Sequence, residues 1–272
     1  MRGLRRAPQP VRDVLVAALG LGVLTGTGVT ALLVLLNPAV TGDVADITGL
    51  SLIVSAFYLA LVVALSVPLL IIRQLGRAPF AAPENPFWGA TFYALSAFGL
   101  SYLFRDNGAA YGVCIPPLTA GALPVFGHVY LALGAAFFTA AALGPRGTLL
   151  RRIALVAAVV GAGASVVVAR GVPRQPPPPA SPAITRVDTG LKVYVVGVDA
   201  LDPDVLNPLV ARGAMPHTAR LVREGASGEL KTLPPGLSPA IWTTIATGVY
   251  PRDHGVLDYE YLVLKGVKTP LS

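Results

Sequence analysis

The chain has 272 residues, of which 54% are hydrophobic, and its mean hydropathy is +0.66. These values exceed those of ordinary soluble domains and indicate membrane segments. The formal net charge of +7 comes entirely from residues 1–190, which hold 13 Lys and Arg against 6 Asp and Glu, whereas residues 191–272 hold 8 of each. Arginines beside apolar segments are typical of membrane topology signals, so this distribution argues against nucleic acid as a partner.

Five apolar segments of membrane-spanning character follow one another in residues 1–170, which we interpret as a transmembrane helical domain. We place the spans at about 14–36, 49–72, 88–104, 121–143 and 153–169. The third is short and rich in aromatic residues, so four spans is the alternative. No span has a charged residue in its interior, which argues against an ion-coupled transporter. The expected partner of this domain is the lipid bilayer.

Arginine placement predicts the orientation of these spans. If the N-terminus is cytoplasmic, the cytoplasmic segments carry nine arginines and the outer segments carry four. This bias is the one expected for a multi-pass protein of a bacterial-type plasma (inner) membrane. Five spans then place everything after residue 170 outside the cytoplasm. Residues 171–190 include four consecutive prolines and form a predicted linker, which would hold an extracytoplasmic C-terminal domain away from the bilayer.

An apolar, β-branched run over residues 192–198 opens the last part of the chain and ends at Asp199. Such a run predicts a parallel strand that is covered on both faces, and ligands bind beyond the carboxyl ends of such strands. Asp202 and Pro203 predict the start of a helix, as its N-cap and first residue. A second helix is predicted over 217–224, and a second strand over 227–233.

A rigid proline-containing loop then leads into a further helix. Ser238 and Pro239 are predicted as its N-cap and first helical residue, and Gly248 as its end. A hydroxyl at this place faces free backbone N–H groups and the positive end of the helix dipole, an environment that suits phosphate or sulfate. We therefore expect the Asp199 carboxylate and the Ser238 hydroxyl to lie within reach of one another.

Three blocks in fixed order carry a family resemblance: VVGVDALDPDVL, MPHTARLVREGA and PPGLSPAIWTTIATGVYPRDHGVLD. Together they resemble the opening of the type I phosphodiesterase/nucleotide pyrophosphatase branch of the alkaline phosphatase superfamily. The resemblance implies an α/β phosphohydrolase that uses divalent metal, usually two zinc ions. It implies that Asp199 binds metal and that Ser238 is the nucleophile. Ile241 occupies the position where nucleotide pyrophosphatases have a phosphate-holding Asn, which puts nucleotide substrates in doubt.

Other residues have simpler interpretations. Thr243 and Thr244 are fallback nucleophiles, but they lie inside the predicted helix, where a hydroxyl more often bonds to a backbone carbonyl. His254 belongs to the His-Gly signature of the family, and we interpret it as a structural residue or one that supports the metal ligands. Trp242 is most simply a core residue.

The predicted architecture is thus an α-helical membrane bundle followed by an incomplete α/β domain, the start of an alkaline-phosphatase-like parallel sheet over 191–272. The later Asp and His metal ligands of the family do not occur in this chain, so we expect a fragment that is itself inactive. The first functional hypothesis is a membrane-anchored, metal-dependent phosphohydrolase that acts on a phosphate ester. The alternatives are an envelope phospho-group transferase, similar to phosphoethanolamine or glycerophosphate transferases, and a non-catalytic membrane protein remnant.

Overall fold

The computed structural model describes residues 9–74, 86–172, 188–234, 236–268 and 271. Most of the predicted linker at 171–190 and most of the predicted cytoplasmic segment at 73–87 lie outside the described residues. The described part divides into a bundle of long helices, up to residue 172, and a C-terminal segment from residue 188 onward.

Five long helices pack side by side in the bundle, and each contains one of the predicted spans. They are α1 (Gln9–Leu36), α2 (Val44–Gln74), α3 (Pro86–Tyr111), α4 (Pro117–Ala142) and α5 (Thr148–Arg170). Their limits follow from local chemistry: Pro38 comes soon after the end of α1, Pro117 opens α4 without losing a helical hydrogen bond, and Gly171 follows α5. The predicted helical bundle is therefore confirmed.

Four segments of the bundle are long and apolar enough to cross a membrane. They are Val16–Leu36, Val44–Ser66, Pro117–Ala142 and Gly144–Arg170. Helix α3 has a similar length but is less apolar, and it carries Arg105 and Asp106 near its end. Four membrane-length helices are thus present among the described residues, and the fifth span remains a prediction.

Aromatic stacking and close backbone approach hold the bundle together. The Phe104 ring of α3 stacks on Tyr130 and Phe126 of α4, with ring centroids 5.2 and 5.7 Å apart, and all three side chains are buried. Between α1 and α2, a Cβ added at Gly26 would lie 2.7 Å from the Ser55 backbone. Small residues at this crossing therefore let the two helices approach closely, as in membrane helix pairs.

The C-terminal segment packs on one end of the bundle and is not held away from it, in contrast to the prediction from the linker. We call this end the docking end: α1, α3 and α5 finish there, and α2 and α4 begin there. Residues 262–268 and 271, the hook, are closed by two backbone hydrogen bonds between Leu262 and Leu271, 2.8 and 3.0 Å long. Val267 and Leu271 are buried against docking-end residues of the bundle, namely Val40, Leu50, Val54 and Ala169. The Lys268 N–H donates to the buried Asp46 carboxylate at 2.7 Å.

Four short helices lie in the C-terminal segment. They are α6 (Pro203–Ala211), α7 (Pro216–Glu224), α8 (Ser238–Thr247) and α9 (Pro251–His254). Asp202 caps α6 by accepting from the Asp204 N–H at 2.8 Å, as predicted. Gly225 caps α7, and Gly248 ends α8 with a φ of 73°, a left-handed conformation that suits glycine.

The predicted sheet is not seen in the part of the chain that the structure describes. Residues 191–198 have no strand partner there, and neither do residues 226–233. A strand exists only through hydrogen bonds to a neighbour, whereas a helix forms its hydrogen bonds locally. The structure therefore supports the helical part of the predicted fold class, and the incomplete α/β domain remains a prediction.

Candidate active site

The two residues expected to carry chemistry lie side by side. Ser238 Oγ donates a hydrogen bond to Asp199 Oδ1 at 3.1 Å, although 39 positions separate them in the chain. Asp199 is exposed and Ser238 is half-buried, so a substrate could approach both side chains from solvent. The fold thus places a carboxylate and a hydroxyl in one accessible pair.

A strained backbone position directly follows Asp199. Ala200 has a φ of 54°, and it is the one residue other than glycine with positive φ among those described. This conformation is uncommon for alanine and is concentrated at functional sites when it persists. The Ala200 N–H donates to Asp199 Oδ1 at 3.1 Å, so one carboxylate oxygen accepts from both Ala200 and Ser238.

The start of α8 differs from the prediction by one residue. Leu237, not Ser238, is the N-cap, and Ser238 is the first helical residue with Pro239 next to it. The physical reason is that the Ser238 hydroxyl points to Asp199 and does not cap its own helix.

A second contact between the same two elements lies one helical turn away. Trp242 is four residues after Ser238, on the same face of α8, and its ring lies directly on the backbone of Gly197, where any added Cβ would overlap it. Gly197 is two residues before Asp199, within residues 191–198, which we call the extended stretch. This contact between Trp242 and Gly197 was not predicted from the sequence, which indicated only a core residue at Trp242. A lone glycine within a β-branched run was the available signal of close approach.

The fallback hydroxyls and His254 form a separate hydrogen-bonded group. Thr244 Oγ1 donates to the Ala240 carbonyl at 2.8 Å and is 3.0 Å from His254 Nε2. The Val256 N–H lies 3.1 Å from His254 Nδ1, which places the ring proton on Nε2. Thr243 lies in the same helix, and its carbonyl accepts from a threonine one turn later. These contacts join α8 to α9, and among the described residues neither threonine hydrogen-bonds to Asp199.

A divalent metal fits the Asp199–Ser238 pair only in part. Two oxygens 3.1 Å apart can both lie about 2.0–2.2 Å from one zinc ion, the usual Zn–O distance. The described ranges contain no group of three or more His, Cys, Asp or Glu side chains that could hold a metal. The pair thus supplies two adjacent oxygen donors, fewer than the four ligands of a typical zinc site.

Comparison with known proteins finds a similarity in the C-terminal segment. Residues 193–269 match the family described as type I phosphodiesterase / nucleotide pyrophosphatase. The match begins in the extended stretch before Asp199 and ends in the hook, so it includes Ser238 and His254. It confirms the resemblance found from the three sequence blocks. No curated protein and no solved structure gave a significant match to the chain.

Proposed function

We propose that the C-terminal segment carries the nucleophile of a membrane-anchored phosphohydrolase or phosphodiesterase with an extracytoplasmic catalytic site. The observation that supports this most is the hydrogen bond from Ser238 to Asp199, within a segment that matches the phosphodiesterase family. The proposed substrate is a phosphate ester. The bundle, with its four membrane-length segments, serves as the anchor.

In the proposed reaction the Ser238 oxygen attacks phosphorus, and the ester oxygen on the opposite side leaves with the bonding electron pair. The hydroxyl proton passes toward Asp199, which already accepts it in a hydrogen bond. The free N–H groups in the first turn of α8 lie near the new bond and favour the negative phosphoryl oxygens. Water then attacks the phosphoserine, which releases phosphate or its monoester and restores the hydroxyl.

The metal belongs to this proposal as well. Asp199 would hold a divalent ion, with zinc as the first choice. When bound, such an ion favours the alkoxide form of a serine and neutralises charge that develops on phosphoryl oxygens. Equilibrium dialysis against zinc tests this role apart from activity: we expect the Asp199→Asn variant to bind zinc more weakly than the unaltered chain.

The experiment on function uses the full chain in detergent with added zinc and p-nitrophenyl methyl phosphate. The Ser238–Asp199 pair forms within this chain, so we propose activity in place of the inactivity expected from the sequence. We expect release of p-nitrophenol, and a methylphosphate adduct on the peptide that contains Ser238 after an acid quench. Ser238→Ala should abolish the adduct and lower the rate by at least about a hundredfold, the scale of a lost nucleophile. Thr243→Ala is the matched control, a hydroxyl removed from the same helix, and should keep both signals.

Two alternatives give different results in the same experiment. A phospho-group transferase would give little product with water and would need an acceptor alcohol and a lipid donor. A non-catalytic remnant would show no hydrolysis, no adduct and no specific zinc binding. Hydrolysis that survives in Ser238→Ala would contradict the assigned nucleophile.

A further inference from the structure

Ser238 directly follows a residue that contacts the docking end of the bundle. Leu237, its neighbour in sequence, lines a cavity of about 160 Å³ together with Leu36, Tyr111 and Ile115. Leu36 is the last residue of the membrane-length segment Val16–Leu36, and Ile115 lies just before the one that starts at Pro117. If the bundle crosses a bilayer, Ser238 is therefore close to the membrane surface.

Two further contacts hold the Ser238 region in this place. The Cys114 thiol, in the turn between α3 and α4, donates to the Pro234 carbonyl at 3.4 Å, four residues before Ser238. On the other side of the segment, the hook packs on the start of α2, where a Cβ added at Gly49 would lie 2.8 Å from the Gly266 carbonyl oxygen. The segment is thus held to the bundle both before and after α8, so α8 has little freedom to move away from the bundle.

An exposed apolar rim continues from the same contact. Leu257 lines the cavity, and the next apolar side chains in sequence point to solvent: Tyr259 is 73% exposed, Leu262 57% and Val263 72%. Tyrosine side chains favour the boundary between lipid and water, where the ring is in an apolar environment and the hydroxyl is hydrated. Exposed apolar side chains this close together in sequence indicate an interaction surface.

We propose that this rim contacts the bilayer surface and that the substrate of Ser238 is a phosphodiester carried by an amphiphile in that bilayer. The inference rests on the proposed function and on insertion of the bundle. The cavity is smaller than the roughly 300 Å³ from which ligand pockets usually start, so it does not hold an alkyl chain. The chain of the amphiphile stays in the bilayer, and only its phosphate reaches Ser238.

Two probes with the same reacting bond test the substrate class. The full chain is placed in vesicles of digalactosyldiacylglycerol, a lipid without phosphate, and supplied with p-nitrophenyl hexadecyl phosphate or p-nitrophenyl methyl phosphate. We expect the hexadecyl ester to react at least about tenfold faster at equal total concentration, because the bilayer confines it near Ser238. Its rate should fall when more lipid is added at constant bulk concentration, whereas that of the methyl ester should not.

Glycine variants test whether the preference for the hexadecyl ester depends on packing of the hook against the bundle or only on insertion of the bundle in the membrane. Gly49→Ala should loosen the hook and reduce the preference for the hexadecyl ester, with the methyl ester rate unchanged. Gly99→Ala is the matched control, since a Cβ there meets nothing within 4 Å, and it should keep the preference. A preference that is equal in both variants would overturn the role of the hook and the proposed fixation.

A spectroscopic measurement decides the surface contact even if the Gly49 variant does not fold. An environment-sensitive dye is attached to the variant Tyr259→Cys, and separately to Glu224→Cys at the exposed end of α7, both with Cys114→Ser, because Cys114 is the chain's single cysteine. Headgroup-level spin-labelled lipid should quench the dye at position 259 and not at 224. Equal rates for the two esters, or no quenching at 259, overturn the inference but not the proposed function. No hydrolysis of either ester overturns both.

Discussion

The bundle and the C-terminal segment bury their apolar side chains very differently. In the bundle, Phe104 and Leu35 are fully buried between neighbouring helices. In the extended stretch, Val193, Val195 and Val196 are all at least 80% exposed. The two regions have similar apolar character in sequence, so composition alone does not tell which one forms a core. The difference shows that helix pairs next to each other in sequence can supply a core locally, whereas a parallel strand depends on distant partners.

This comparison also separates stability from chemistry. The pair Asp199 and Ser238 lies in the exposed region, while the packed core lies in the bundle. Few contacts act on the site directly: the Trp242 ring lies on Gly197, and the Ala200 N–H donates to Asp199. We therefore expect bundle substitutions to change unfolding, and substitutions at these contacts to change the site.

The largest effect is expected in the bundle, from Phe104→Ala. This change removes a fully buried ring that stacks on Tyr130 and Phe126, and should lower the free energy of unfolding by about 3–5 kcal/mol. Val195→Ala, which truncates an exposed side chain, is the matched comparison. It should change the free energy of unfolding by about 0.5 kcal/mol or less. Thermal or denaturant unfolding of the full chain in detergent measures both. Similar values for the two variants would show that the extended stretch is covered in solution.

A smaller and more local effect is expected from Gly197→Ala. The added Cβ overlaps the Trp242 ring, so α8 must shift relative to the extended stretch and Ser238 must move away from Asp199. We expect the rate on p-nitrophenyl methyl phosphate to fall by about tenfold or more, since misplaced reacting groups cost at least this much. The same loss should appear in formation of the Ser238 adduct.

Two controls make this prediction specific. Gly228→Ala adds the same Cβ where nothing lies within 4 Å and should leave the rate unchanged. In the double variant Gly197→Ala with Trp242→Leu, the smaller side chain leaves room for the Cβ and should restore part of the rate. If the double variant has the same rate as Gly197→Ala alone, the contact between Trp242 and Gly197 does not position Ser238.

Local sequence signals predicted the helical elements well. Apolar runs located all five long helices, and the Asp202 cap, Gly225 and Gly248 predicted the ends of short helices correctly. Such signals succeed because caps and terminal glycines act on the backbone beside them. The nearness of Asp199 and Ser238 was also predicted, because both were expected at the ends of elements.

Contacts between distant parts of the chain were not predictable in the same way. Nothing near Asp46 indicates that its carboxylate accepts from Lys268, which is 222 positions away. The contact between Trp242 and Gly197 depends on how α8 lies along the extended stretch, and the sequence of neither element specifies this alone. The positive φ of Ala200 had no sequence signal, since alanine is not a residue that favours this conformation.

The smallest expected effect concerns the pH dependence of the hook. The hydrogen bond from Lys268 Nζ at 2.9 Å lowers the pKa of Asp43 below its usual 3.8, and the same bond raises the pKa of Lys268 above its usual 10.5. The Asp43 contribution is thus complete above pH 3.8 and is lost as the pH falls below it. The Lys268 contribution is complete below pH 10.5 and is lost at higher pH.

Amide hydrogen exchange in the hook measures this dependence. The protection of Val267 and Lys268 should decrease at the acid limit in the unaltered chain, and this step should be absent in Asp43→Asn. The change should be less than about twofold, because the Lys268 side chain is largely exposed, Asp43 is partly exposed, and solvent screens the pair. Asp46 also faces Lys268 through a backbone hydrogen bond, so Asp46→Ala should lower protection at every pH, as it removes the acceptor from a buried contact. An acid step that persists in Asp43→Asn would assign the pH dependence to Asp46, and the hook would then be held by its buried acceptor rather than by the exposed ion pair.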